Sequence, residues 1–293
     1  MVPSVTTVLQ RFTTDGAAQL QPEAIHAACE ALGSTAWRDR LLNPVITGQL
    51  FLLQILRGHT ACRHLPHLAG FYCSASASCQ ARAKLPIRRL DYLWERFGQS
   101  AQSTIAAEGR WYGHRTLFVD GSGGSMPDTP VGPEECGQPS EPRPGCGFPV
   151  ARLLARFHAG TGLFPQLLSA PLLTHDLAHG QHVHPAFAPG DVLVADRGLC
   201  SYAHIAMLVQ RGVHAVFRIG SRQIVDFTPH RPFVMPATRR SAAIKGRPRA
   251  RWISAFSTDD HRVEWFTPRT CPPWLSPDAL EAWPPSLVVR ELR

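Results

Sequence analysis

Residues 190–220 read GDVLVADRGLCSYAHIAMLVQRGVHAVFRIG. The run VLVA is short, apolar and β-branched, the composition of a buried strand, and it ends on an acid, Asp196. SYAHIAMLVQRG (201–212) carries apolar residues at helical spacing and stops at a glycine. VHAVFRIG (213–220) returns to a strand pattern. Strand, helix and strand in so short a span point to an α/β domain.

Upstream, RTLFVD (115–120) is another short apolar run that ends on an acid, Asp120. A segment rich in Gly, Ser and Pro follows, GSGGSMPDTPVGPEECGQPSEPRPGCG, and reads as a loop. Its Gly121-Ser122-Gly123-Gly124 is not followed by Gly-Lys-Ser/Thr. It is therefore no phosphate loop, and it reads as flexible backbone beside Asp120. FPVARLLARFHA (148–159) and GLFPQLLSAPL (162–172) flank Gly160-Thr161-Gly162 and predict a β-hairpin. THDLAHGQHVHPAF then carries helical character. The resulting order, strand, hairpin, helix, strand, helix, strand, is that of a ribonuclease-H-like domain.

Residues 1 to about 110 predict helices: AIHAACEAL after Pro22, VITGQLFLLQIL after Pro44, and a third from about Arg88 to Ala107. Residues 221–293 are rich in Pro and Arg, with short strand-like pieces such as RWISAF. The expected fold is α/β: a ribonuclease-H-like mixed-sheet core over 111–220, an N-terminal helical domain over 1–110 suited to DNA-end binding, and a basic, β-rich insert over 221–293.

The formal net charge is +8. From Arg211 to Arg251 there are ten Lys or Arg against one acid, Asp226, while the rest of the chain is nearly neutral. A local basic block suits a polyanion, because each phosphate neutralised releases counterions. Eight cysteines without CxxC pairs do not make a disulfide framework. No apolar stretch reaches the roughly 18 residues that a membrane span requires. The N-terminus lacks the pattern of a signal peptide. The expectation is a cytoplasmic protein with no membrane partner.

Two acids at the ends of buried strands are held on rigid backbone. If the strands are neighbours, they can share divalent cations. Mg²⁺ takes a few carboxylate oxygens and keeps water and substrate phosphate in its other positions. Two such ions, about 3.5–4 Å apart, stabilise the attacking and leaving oxygens of an in-line phosphoryl displacement. The competing reading of Asp196 is an N-cap of the helix that follows.

FVDGSGGSMPDTP (118–130), GFPVARLLARF (147–157) and DVLVADRGLCSY (191–202) closely resemble segments of insertion-sequence DDE transposases of the IS-four-like family. SASASCQARAKLP (74–86) resembles the family's segment ahead of its catalytic domain. The resemblance implies that Asp120 and Asp196 are the first two catalytic acids and the metal ligands, with Mg²⁺ or Mn²⁺ as cofactor. The implied reaction is hydrolysis of a phosphodiester at the transposon end, followed by attack of the freed 3′-hydroxyl on target DNA. Arg197 is a phosphate contact in this reading. Arg218, Arg222, Arg239, Arg240, Lys245 and Arg247 in the basic block are the other DNA-binding candidates. The partners expected are transposon ends and target DNA, with a homodimer on DNA allowed.

One part of the family pattern is missing. Its third acid lies in a helix reading Tyr-x2-Arg-x3-Glu-x6-Lys. Here the only tyrosine after Asp196 is Tyr202, and residue 205 is Ile205. Glu281 and Glu291 are the nearest acids by position, and neither carries the motif. The expectation is a C-terminally truncated copy with impaired catalysis; the alternative is a non-catalytic DNA-binding remnant. A His-Asp metal hydrolase built on His175, Asp176, His179, His182 and His184 is a further rival, against a solvated His-rich helix face. Cys62, His64, His67, Cys73 and Cys79 fit no common zinc spacing and read as ordinary packing.

Overall fold

The computed structural model describes residues 22–32, 40–58, 60–85, 88–96, 110–139, 147–160, 162, 165–220, 223–233, 250–268 and 271–293. The chain falls into two compact units: residues 1–109 with 160–165, and residues 110–159 with 166–293.

The first unit is helical. It holds α1 (Pro22–Ala31), α2 (Pro44–Leu56), a 3₁₀ turn (Cys62–His64) leading into α3 (Leu65–Ala69), α4 (Ala75–Ala83) and α5 (residues 88–96). α2 begins where the sequence signals it. Asn43 Oδ1 accepts from the Ile46 N–H at 2.9 Å, and Pro44 occupies the first turn, where its missing N–H costs nothing. Ser74 caps α4 in the same way, accepting from Ala77 N–H at 3.1 Å. Ile25, Ala28, Cys29, Leu50, Leu65 and Cys73 are buried. The expected third helix is observed as α5; residues 97–107 of that expectation lie outside the described residues.

The second unit is built on a six-stranded mixed sheet. β1 (Arg110–Trp111) and β2 (His114–Ser125) form a hairpin. Its two-residue link, Tyr112 (φ 49°) and Gly113 (φ 84°), has positive φ at both positions, the twist that suits a tight hairpin. α6 (Gly132–Cys136) precedes β3 (Val150–His158), which pairs antiparallel with β2 and with β4 (Gln166–Pro171). α7 (Asp176–Gly180) and a 3₁₀ helix (Gln181–Ala186) lead to β5 (Val192–Ala195). α8 (Tyr202–Gln210) then crosses to β6 (His214–Phe217). β5 runs parallel to both β2 and β6, giving the order β4-β3-β2-β5-β6. Three antiparallel strands continued by two parallel ones make this a ribonuclease-H-like mixed sheet.

One face of that sheet is packed. Leu117, Val119, Leu154, Leu193 and Ala195 meet Val183, Phe187, Leu199, Leu208 and Val213 in a single apolar core. Burial of each large side chain contributes about 2 kcal/mol. On the opposite face Phe118, Leu167 and Val216 are about half exposed.

The C-terminal part is a second sheet, β7 (Arg251–Ser257), β8 (Asp260–Phe266) and β9 (Ser286–Leu292), all antiparallel, with the short α9 (Pro277–Glu281) before β9. It packs on α8: Tyr202, Ala203 and Ala206 meet Trp283 and Leu287, with Trp265 and Trp274 alongside. α8 thus has two buried stripes. Its sequence, apolar nearly all round, says as much.

One expectation fails here. Gly121–Ser125 is not a flexible loop. It continues β2 and pairs residue by residue with β3, from Gly121↔Leu154 to Ser125↔Val150. Glycine weakens a strand but does not forbid it when a partner strand supplies the hydrogen bonds.

Candidate active site

Register positions the two sequence-predicted acids. In the parallel pairings Val119 is level with Ala195, and Ala195 is level with Phe217. Asp120, Asp196 and Arg218 each come one residue later. Two acids and an arginine therefore stand side by side just past the C-terminal ends of β5 and β6 and, within β2, at the point where its pairing with β5 stops. The Arg218 N–H donates to the Ala195 carbonyl at 3.2 Å, which holds the third of these positions against the second.

Both carboxylates are exposed. Asp120 Oδ1 accepts from the Gly121 N–H at 2.9 Å, and Asp196 Oδ1 accepts from the Gly198 N–H at 2.7 Å. Each is thus oriented by backbone through one oxygen. The N-cap reading of Asp196 is displaced, because Ser201 Oγ caps α8 by accepting from the His204 N–H at 3.2 Å. Arg197 is exposed beside Asp196.

A third carboxylate, Asp176, lies at the same end of the sheet. A Cβ added to Gly121 would stand 3.5 Å from Asp176 Oδ1. One added to Gly198 would stand 3.0 Å from Asp196 Oδ1 and 3.4 Å from Asp176 Oδ2. Arg152 Nε on β3 lies 3.7 Å from Asp176 Oδ1. Alternation along β2 puts Asp120 on the face of Phe118 and Ser122, while Gly121 points toward the packed face, where Asp176 sits. Asp176 therefore approaches Asp196 from the face opposite Asp120. Among the described residues, no three His, Cys, Asp or Glu side chains are grouped so as to hold a metal ion.

Two exposed carboxylates on adjacent strands suit Mg²⁺, which commonly takes one or two protein carboxylates and fills its remaining positions with water and substrate phosphate. The donor set is all oxygen, the preference of a hard cation.

No protein-family model matches the chain, and no curated protein matches it. Solved structures similar to it include a piggyBac transposase synaptic complex with hairpin DNA, at 12% identity, covering 78% of this chain and 50% of that one, with a TM-score of 0.36. A Mos1 transposase paired-end complex with left transposon end aligns at 13% identity over 61% of this chain and 60% of that one, with a TM-score of 0.23. A Mos1 strand transfer complex aligns at 12% identity over 64% and 63%, also at 0.23. The chain thus spans less than two thirds of the length of each.

The other candidates separate in space. Glu291 is buried in the second sheet, where it accepts from Trp265 Nε1 at 2.9 Å, so it does not reach the strand ends that carry Asp120 and Asp196. Burial holds its carboxyl above the ordinary range. Glu281 is exposed at the end of α9. The His-rich stretch is not a solvated face: His179 and His184 are buried. His184 instead contacts His204 of α8, and His175 caps α7 by accepting from the Leu177 N–H at 3.2 Å. The rival His-Asp centre is not assembled: the His179 and His182 rings face each other at 6.3 Å between centroids, but among the described residues no three such side chains are grouped to hold a metal ion. Of the basic block, Arg211, Arg218, Arg231 and Arg251 are described. Arg231 is buried, and its Nη2 donates to the Ala250 carbonyl at 3.2 Å. Arg222, Arg239, Arg240, Lys245 and Arg247 lie outside the described residues. No described helix is long and apolar enough to cross a membrane.

Proposed function

We propose that this chain is a DDE-type DNA transposase that binds transposon-end DNA and a divalent cation through Asp120 and Asp196, and that by itself it is severely impaired in strand cleavage. The observation that carries the reading is the alignment of Asp120 and Asp196 one residue past the level pair Val119 and Ala195. The FVDGSGG and VLVADRG motifs support it, since they place the same two acids in an insertion-sequence pattern.

In this reading the two carboxylates hold Mg²⁺, or Mn²⁺ in its place. Held there, the cation would supply charge stabilisation for the oxygens of the phosphodiester under attack. Asp120 and Asp196 would hold the cation that receives the scissile phosphate, and the backbone donors Gly121 N–H and Gly198 N–H fix the orientation of each carboxylate. Arg218 and Arg197 neutralise phosphate charge beside them. Impairment follows from the shortage of carboxylates. Asp176 is turned to the other face of the sheet and paired with Arg152, so no third acid joins Asp120 on its own side among the described residues.

Calorimetric titration with Mn²⁺ and a gel shift with duplex carrying the terminal repeats that flank the gene test this together. Mn²⁺ binding is expected to weaken at least tenfold in both Asp120→Asn and Asp196→Asn. DNA affinity is expected to fall steeply with salt, with a slope of about 0.9 per phosphate contacted. Unchanged Mn²⁺ binding in both variants, or no DNA binding at low salt, overturns the assignment. Rapid Mg²⁺-dependent cleavage by the wild-type chain overturns the impairment alone.

A further inference from the structure

The helical unit contains a pair of thiols that the proposed DNA chemistry does not use. Cys62 opens the 3₁₀ turn after α2, and Cys79 lies in α4, 17 residues later. The Cys79 thiol donates to Cys62 Sγ, with the sulfurs 3.5 Å apart. Cys79 is exposed, and Cys62 is partly so. The remaining surroundings hold Cys62 still. Gln54 Nε2 of α2 donates to Cys62 Sγ at 3.6 Å and to the Thr60 carbonyl at 2.6 Å. Gln54 Oε1 in turn accepts from Arg82 Nη1 of α4 at 3.2 Å. Arg82 also lies over the Phe51 ring, 5.5 Å from its centroid. One glutamine and one arginine thus tie together the two segments that bear the sulfurs.

We infer that Cys62 and Cys79 form a reversible disulfide, a redox modification site that staples the 3₁₀ turn to α4. Bonded sulfurs stand about 2 Å apart, so closure asks the two thiols to approach by about 1.5 Å. With a peroxide as oxidant the chemistry balances. The exposed Cys79 thiolate attacks one peroxide oxygen; an S–O bond forms, the O–O bond breaks, and the departing oxygen leaves as water after protonation. The Cys62 thiolate then attacks the Cys79 sulfur; the S–S bond forms, the S–O bond breaks, and a second water leaves. The two thiols lose two electrons and two protons, and the peroxide is reduced to two waters. Donation to Cys62 raises the Cys79 thiol above its ordinary value, so the reaction quickens as pH rises from neutral. Cys73, nearby in sequence, is buried with its sulfur 3.3 Å from Ser78 Oγ, and it is the internal control.

The test treats the purified full chain with hydrogen peroxide, blocks residual thiols, and digests with trypsin without reductant. Cleavage after Arg57, Arg63 and Arg82 leaves Cys62 in GHTACR and both Cys73 and Cys79 in HLPHLAGFYCSASASCQAR. The expected product is these two peptides joined, with loss of two hydrogens, released by dithiothreitol, and fragmenting to place the bridge at Cys79. Cys73→Ser is expected to keep the link. Cys62→Ser is expected to leave Cys79 as a sulfenic acid that a dione reagent traps. The same treatment in urea scatters Cys79 among several partners. No 62–79 link in the native chain, a link to Cys73 instead, or the scattered pattern without urea overturns the proposal.

Discussion

His204 Nδ1 lies 3.0 Å from His184 Nε2, and both rings are almost wholly buried. One set of protons satisfies this contact. His204 Nε2 faces the Leu177 carbonyl at 2.9 Å, so it carries a proton and donates. Its Nδ1 is then bare and accepts from His184 Nε2–H. His184 Nδ1 is left buried without a hydrogen-bond partner among the described residues. Trp274 stacks on His204 at 5.3 Å between centroids. Protonating His204 at Nδ1 would set two N–H groups against each other.

Stability should therefore depend on pH in a stated direction. Burial pushes His184 down to about 3 and His204 down to about 4, from an ordinary value near 6.5. The unfolded chain binds protons at these residues before the folded chain does. The contribution is complete above about pH 6.5 and is lost as pH falls toward 4 and then 3. Urea melts at pH 7 and pH 4.5 should differ by several kcal/mol, on the order expected for two such groups. A His204→Gln variant should flatten that slope; an unchanged slope would show that the pair does not govern it.

Two glycines near the site separate packing from ligand geometry. A Cβ at Gly180 would stand 2.5 Å from Leu199 Cδ2 and 3.1 Å from His204 Cε1, both in the packed interior. Gly180→Ala should cost about 1–3 kcal/mol of stability by overpacking. A Cβ at Gly198 meets Asp196 Oδ1 at 3.0 Å instead. Gly198→Ala should leave the urea midpoint nearly unchanged while weakening Mn²⁺ binding roughly tenfold, the scale expected when a ligand is displaced. Equal effects of both variants on the midpoint would remove the distinction.

Arg115 of β2 reaches the start of β5. Its Nε and Nη2 donate to Asp191 Oδ1 and Oδ2 at 2.9 and 2.5 Å, and the Ala188 N–H also donates to Oδ2 at 2.8 Å. Asp191 is buried. Arg115→Ala leaves that carboxylate without its cation and should cost about 3 kcal/mol. The double variant Arg115→Ala with Asp191→Ala should be less damaging than the two single losses added together, in a denaturation cycle.

Glu291 gives the opposite sign from the histidines. Its raised carboxyl opposes folding once the unfolded chain ionises, so the penalty is absent below about pH 4.5 and grows as pH rises above that value. Glu291→Gln keeps an acceptor for Trp265 Nε1. It should stabilise the chain at pH 7, with the gain vanishing near pH 4. A gain that persists at pH 4 would point to packing instead.

The β5–α8–β6 region was legible because each element there is short and carries its own periodicity. Asp120 and Asp196 stood out because each ends an apolar run. The alignment of Asp120, Asp196 and Arg218 was not legible, since it depends on parallel register, which no local pattern encodes. The Gly121–Ser125 extension was hidden because glycine and serine have low strand propensity, and the bonds that keep it extended come from β3. α4 was missed for a related reason: ASASCQARA has no apolar stripe, and its cap at Ser74 is one hydroxyl among several. Burial of His184 was hidden in the His-rich stretch because its partner, His204, lies on a separate element, and a single stretch shows only one of them.

β2 is twelve residues long, yet β5 accompanies it only from Thr116 to Val119, while β3 stays with it to Ser125. The sheet therefore forks at Asp120. Beyond the fork, β2 and β3 continue with β4, which pairs with β3 from Ala151 to Arg156, as a three-stranded arm, tied at its tip by the Met126 N–H to the Pro149 carbonyl at 2.7 Å. Such an arm is a cantilever. Load applied at its tip would bend it about its root, where Asp120 stands, whereas Asp196 follows β5. Such bending would change the spacing between the two acids.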